Sequence, residues 1–193
     1  CVKGLLWEDV KLPKKMLKKF KGPQYGIQGI RKYLKIKNRP LVGTIVKPKV
    51  GLNEKEHAKV AYESWIGGCD IVKDDENLCS QPFNNFYKRI KKTIKLMKKA
   101  EKETGEKKVY LANCTAPVSE MIKRIKFVEK NGGNYIMLDI LTLGWSALQE
   151  ARNHTKLPIH AHRAGHAMFD RSPIHGMSME VIAQFARMAG VDT

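Results

Sequence analysis

From residue 40 onward, short runs of apolar and β-branched residues alternate with longer stretches in which apolar positions recur every three or four residues among Lys and Glu. Short runs of that kind fit buried strands, and the longer stretches carry the period of an amphipathic helix. The pattern predicts strands over 41–47, 70–74, 109–114, 135–140 and 158–162, and helices over 54–66, 86–102, 119–130, 145–153 and 179–188. Gly67-Gly68, Gly105 and Gly132-Gly133 fall where the first three helices need a left-handed closing turn. Pro117 and Ser119 suit the start of the third helix.

Such alternation gives an α/β fold with a parallel sheet. A closed (β/α)8 barrel takes ~250 residues, so 193 residues with this pattern predict an incomplete TIM barrel, about its first five βα units. Ala189-Gly190-Val191-Asp192-Thr193 reads as the approach to a sixth strand. Residues 1–39 read as a basic lead-in segment with a turn at Gly22-Pro23, and 40–193 as the partial barrel, a catalytic domain fragment. The chain opens on Cys1, and the expectation is that its natural start lies upstream.

Charge adds a question about partners. The chain has 36 Lys and Arg against 19 Asp and Glu, a net charge of +17, whose field attracts nucleic acid, anionic membrane or a phosphorylated metabolite. Lys14, Lys15, Lys18 and Lys19, and again Lys91, Lys92, Lys95, Lys98, Lys99 and Lys102, repeat at helical spacing and read as solvated helix faces. A nucleic-acid-binding module would interleave aromatics with the cations, and none follows Tyr87 before Lys102. No apolar stretch reaches the ~20 residues of a membrane span, and the best, Tyr135 to Leu143, contains Asp139. Cys1, Cys69, Cys79 and Cys114 form no C-x-x-C pair, so reduced thiols in a cytoplasmic protein are expected.

In a βα architecture, reactive groups belong at the carboxyl ends of strands. Lys47-Pro48-Lys49 closes the first strand, with two lysines at alternate positions of an extended segment. A lysine there serves as a base if desolvation or a neighbouring cation lowers its pKa; otherwise both lysines are simply exposed. Lys73-Asp74-Asp75-Glu76 closes the second strand. Asp75 and Glu76 offer hard oxygens for an open Mg²⁺ half-site, whereas Lys73 has only donors and on its own would neutralise the acids. His160-Ala161-His162-Arg163-Ala164-Gly165-His166 closes the fifth strand. An arginine fork binds phosphate and an adjacent imidazole moves protons, with a zinc site the rival for the three histidines. His160 reads as a satisfied structural residue. Together the strand ends suit stabilisation of an enediolate in a phosphorylated sugar.

Gly43-Thr44-Ile45-Val46-Lys47-Pro48-Lys49-Val50-Gly51-Leu52, Lys73-Asp74-Asp75-Glu76-Asn77 with Ser80-Gln81-Pro82-Phe83, and the His160 to His166 run resemble signatures of the ribulose-1,5-bisphosphate carboxylase/oxygenase (Rubisco) large subunit, in order and spacing. Asn113-Cys114-Thr115-Ala116 and His175-Gly176-Met177 agree. The resemblance implies that Lys73 adds CO₂ and, as a carbamate, joins Asp75 and Glu76 as a Mg²⁺ ligand. It also implies Lys47 and His162 as catalytic residues, with Lys49, Arg163 and His166 binding substrate. The implied reaction is Mg-dependent enolisation of ribulose 1,5-bisphosphate and addition of CO₂ or O₂, carboxylation giving two 3-phosphoglycerate. The wording of the motifs resembles archaeal form III enzymes, which implies a link to AMP or nucleoside salvage and a homodimer or ring of dimers. The family's amino-terminal domain and its later lysine-bearing loop are expected to lie outside these residues, leaving the 193-residue chain inactive alone. A Rubisco-like enolase or isomerase of methionine salvage shares the metal site; the presence of Lys47, Lys49, His162 and Arg163 favours the carboxylase.

Overall fold

The computed structural model describes residues 2–193. Five strands form one parallel sheet in chain order: β2 (Gly43–Ile45), β3 (Ile71–Lys73), β4 (Val109–Asn113), β5 (Ile136–Asp139) and β6 (Ile159–His162). The register pairs Ile45 with Lys73, Lys73 with Leu111, Asn113 with Met137 and Asp139 with His162. Every carboxyl end therefore emerges on the same rim. The helices that follow are α3 (Glu54–Ile66), α4 (Phe86–Thr104), α5 (Val118–Lys130), α6 (Ile140–His154), α7 (Ala167–Asp170) and α8 (Met179–Ala189).

All five residues of β4 and all four of β5 are buried, because both faces of the sheet are covered. Tyr110, Ala112, Ile136 and Leu138 pack outward with Trp65, Ile90, Ile94, Met121 and Ile125 of the helices. Val109, Leu111, Tyr135 and Met137 form a separate inner cluster with Ile30 and Leu34. Alternate residues of one strand thus serve two cores, which is why the strands read as unbroken apolar runs.

Local chemistry sets the helix ends. Asn53 accepts from the Lys55 and Glu56 amides while Glu56 returns a bond to the Asn53 amide, a reciprocal cap that starts α3. Asn85 and Ser178 cap α4 and α8 through the amides of Lys88 and Val181. α4 stops at Gly105, whose φ of 68° an L side chain rarely adopts.

The structure departs from the sequence-based expectations in three places. The basic lead-in contains β1 (Leu6–Trp7), α1 (Lys14–Leu17) and α2 (Gly26–Leu34). α2 lies across the inner sheet face, its start tied to Asp192, which accepts from the Tyr25 amide at 2.5 Å while its other oxygen accepts from Ile159. β1 pairs in parallel with β7 (Gly176–Met177), a contact between opposite ends of the chain that no local pattern announces. The expected helix over 145–153 is the second part of α6, which is broken at Gly144 (φ 76°, ψ 165°) and begins directly after Asp139. The approach to a further strand is present: the Ala161 amide donates to Thr193 O at 2.7 Å and the Asp192 amide to Ile159 O at 2.8 Å.

Candidate active site

Three of the strand ends named by the sequence meet through direct contacts. The ammonium of Lys47, just past β2, pairs with Asp75 Oδ2. Lys73, the last residue of β3, places Nζ 3.1 Å from Glu76 Oε2 and 3.2 Å from the Asp74 carbonyl. His162, the last residue of β6, places Nε2 3.5 Å from the same Glu76 oxygen. Lys47, Asp75, Glu76, Lys73 and His162 therefore line one rim.

The remaining expected residues stand apart. Lys49 is exposed and has no hydrogen-bond or ion-pair partner among the described residues; the Lys47–Pro48 bond before it is cis, and the segment lies outside β2. Arg163 is exposed in the turn after β6. His166 is held by Asp170, Nδ1 to Oδ2 at 2.8 Å. His160 points into the barrel beside Lys73 and Thr44, and burial, with the charges of His162 and Lys73, pushes its pKa down to about 4.

Lys47 sits beside a carboxylate and not beside the second cation that would lower its pKa. The hydrogen bond and charge of Asp75 raise the pKa of Lys47 instead of lowering it, so in this arrangement its ammonium is a fixed cation. Burial pushes Asp75 up, but the bonds from Lys47 and Asn77 outweigh it and hold the carboxyl below the usual range. Glu76 is likewise lowered against burial, by its own backbone amide and by Lys73. His162 is lowered by burial and Lys73, and the Ala164 amide donates to its Nδ1 at 3.2 Å, the geometry of a neutral imidazole.

Sequence reasoning passed over Asp139. At the end of β5 it is 5% exposed, lies 3.4 Å from His162 Nδ1, and has no hydrogen-bond partner on Oδ1. Burial first, then the charge of Glu76, raises its pKa to about 6. Its signal in the sequence was a lone acid closing an apolar strand.

The family model for the ribulose bisphosphate carboxylase large chain, catalytic domain, matches residues 26–193. The chain belongs to this Rubisco family. It is 54% identical over 191 residues to the ribulose bisphosphate carboxylase of Methanocaldococcus jannaschii, 98% of this chain and 45% of that protein. Octameric Rubisco from Pyrococcus horikoshii, solved in complex with sulfate ion, superposes with a TM-score of 0.95 at 50% identity, covering 98% of this chain and 46% of its own. A rubisco-like protein from Burkholderia fungorum superposes at 0.94 with 32% identity, covering 97% and 46%. The chain spans a little under half the length of these relatives.

Carboxylate oxygens gathered at this rim suit a hard cation such as the Mg²⁺ that the Rubisco family implies. Asp75 and Glu76 supply hard carboxylate oxygens, and the unpartnered Asp139 Oδ1 leaves uncompensated negative character on the same rim. Among the described residues no group of three His, Cys, Asp or Glu could hold a metal ion. The two carboxylates fit an open half-site for a hard cation, with the rest of its octahedron left to other oxygen donors.

Proposed function

We propose that this chain carries the metal half-site and proton-transfer groups of a ribulose-bisphosphate carboxylase. The observation that carries the proposal is the contact chain Lys47–Asp75 and Lys73–Glu76–His162, joining three strand ends at one rim. Lys73 Nζ bonds Glu76 Oε2 at 3.1 Å and the Asp74 carbonyl at 3.2 Å, so CO₂ added to its neutral amine, with loss of a proton, would set a carbamate oxygen donor beside Glu76. Asp75, Glu76 and carbamylated Lys73 would hold Mg²⁺, which supplies charge stabilisation for an enediolate.

The chain's own residues do the rest. Lys47 would accept the proton beside the ketone of ribulose 1,5-bisphosphate as a neutral amine, after Asp75 releases its ammonium and that ammonium passes a proton to solvent. Neutral His162 moves protons at Nε2, the ring nitrogen left free by the Ala164 bond. Exposed Lys49, after β2, and exposed Arg163, in the turn after β6, offer cations to the substrate and its phosphates, and the His166 amide in that turn bonds Arg163 O. CO₂ or O₂ then adds to the enediolate, and carboxylation followed by hydration and carbon–carbon cleavage gives two 3-phosphoglycerate. The form III resemblance of the motifs would make the parent a cytoplasmic enzyme consuming ribulose bisphosphate drawn from nucleoside or AMP salvage, and the octameric relative supports a homodimer or ring of dimers. No helix among the described residues is long and apolar enough to cross a membrane.

The fold is shared with a rubisco-like protein, so the fold does not choose between carboxylase and a methionine-salvage enolase or isomerase. Lys47, Lys49, His162 and Arg163 favour the carboxylase. The test supplies ribulose bisphosphate, Mg²⁺ and labelled bicarbonate to this chain within a protein of family length. Label in 3-phosphoglycerate, lost at least ~100-fold in Lys73→Ala, is expected; its absence overturns the proposal. The 193-residue chain alone is expected to give none, because positioning and water exclusion act together.

A further inference from the structure

The loop bearing Asp75 and Glu76 has no regular structure to hold it, yet it is fastened from beneath. Asn113, the last residue of β4, is fully buried. Its Nδ2 donates to the carbonyl oxygens of Glu76 at 2.8 Å and Asp75 at 3.2 Å, while its Oδ1 accepts from the Thr115 amide at 3.0 Å. Thr115 Oγ1 in turn accepts from the Asp139 amide at 3.0 Å. A continuous hydrogen-bonded brace therefore runs from the end of β5, through the end of β4, to the backbone between the two acids. The Asn113 amide N–H also donates to Asp74 Oδ2 at 3.0 Å, so one residue grips three consecutive positions, 74 to 76.

A primary amide is suited to this place for a chemical reason. It presents a donor at one end for two carbonyl oxygens and an acceptor at the other for an amide N–H. A carboxylate of the same shape would set a buried negative charge against two carbonyl oxygens, and a shorter side chain would leave buried carbonyls unpaired. The backbone so gripped orients the side chains of Asp75 and Glu76, and the register of β3 with β4 keeps Lys73 beside them.

We propose that Asn113 is a positioning residue: its side-chain amide sets the backbone that aims Asp75 and Glu76, so that CO₂-dependent capture of a divalent cation at Lys73 depends on it. The inference rests on the functional reading of Lys73, Asp75 and Glu76 and extends it to a residue that touches neither cation nor substrate.

The experiment measures Mn²⁺ binding by electron paramagnetic resonance, and carbamate by ¹³C NMR, on this chain within a protein of family length, with and without ¹³C-bicarbonate. Asn113→Asp is expected to weaken bicarbonate-dependent Mn²⁺ binding at least ~tenfold and to lose carbamate signal in step. Asn134→Asp is the matched control. Asn134 makes the same kind of amide bridge at the opposite end of the strands, Nδ2 to Lys108 O at 2.7 Å and Oδ1 from the Tyr110 amide at 3.3 Å. It should leave Mn²⁺ affinity within ~twofold at a comparable loss of thermal stability. Where Asn113→Asp does not fold by circular dichroism, Asn113→Ser, whose hydroxyl is too short to reach Glu76 O, replaces it with the same expectation. Wild-type affinity in the folded Asn113 variant, or an equal loss in Asn134→Asp, overturns the inference while leaving the functional reading intact. A wild-type chain whose Mn²⁺ binding ignores bicarbonate overturns the functional reading and this inference with it.

Discussion

Two neighbouring acids show how burial alone does not decide ionisation. Asp74 is wholly buried, yet its carboxyl is held well below the usual range. The charge of Arg89 (Nε at 3.3 Å), His57 (Nε2 at 3.0 Å) and the Tyr110 hydroxyl (2.5 Å) outweigh desolvation. Asp139 has no such set, and burial raises it to about 6. The folded pKa of Asp139 lies above the ordinary carboxyl value, so between about pH 4 and 6 the unfolded chain ionises this group while the folded chain keeps its proton, and stability falls as pH rises. Asp139→Asn removes that loss. In metal-free protein the variant should gain on wild type from pH 4 to 6, and above pH 6 hold a constant advantage of about 1–2 kcal/mol after solvent screening. Urea titrations at pH 4, 5, 6 and 7.5 measure it; a gap that does not widen with pH refutes the assignment.

At the scale of elements, the break in α6 is what turns the chain from the end of β5 into its covering helix. Gly144 occupies φ 76° and ψ 165°, and a Cβ built there meets nothing within 4 Å. The need for glycine is therefore backbone strain and not lack of room. Gly144→Ala should cost about 1–3 kcal/mol and lower the melting temperature by several degrees without a packing defect. At Gly190, by contrast, φ is 116° and an added Cβ would lie 2.7 Å from Arg152 Cβ and closer still to its Cγ, so strain and collision add. Gly190→Ala should lose more than Gly144→Ala in the same calorimetric comparison; the reverse order would contradict this account.

Over the whole molecule, the excess of positive charge sits on solvated faces. α4 buries Phe86, Ile90, Ile94 and Met97, and leaves Lys91, Lys92, Lys95, Lys98, Lys99 and Lys102 exposed. Lys91→Glu, Lys95→Glu and Lys98→Glu together should sharply weaken low-salt retention on heparin, with each change moving stability by no more than ~0.5 kcal/mol. Unfolding midpoints of the single variants check the second part. What the sequence determined by itself was whatever rests on local period and local chemistry: strand and helix order, the span of α3, and the strand ends where Lys47, Lys73, Asp75, Glu76 and His162 stand. An apolar period or a capping Asn acts within a few residues, so it is legible in one dimension. Tertiary structure decided which of those ends touch. The register of β3 to β6 sets Asp139 opposite His162 and puts Asn113 two residues past Leu111, the partner of Lys73, while Asp75 raises the pKa of Lys47 and α2 closes the inner face over β4 and β5. Those outcomes depend on distances between residues tens of positions apart, and no pattern along the chain carries a distance of that kind.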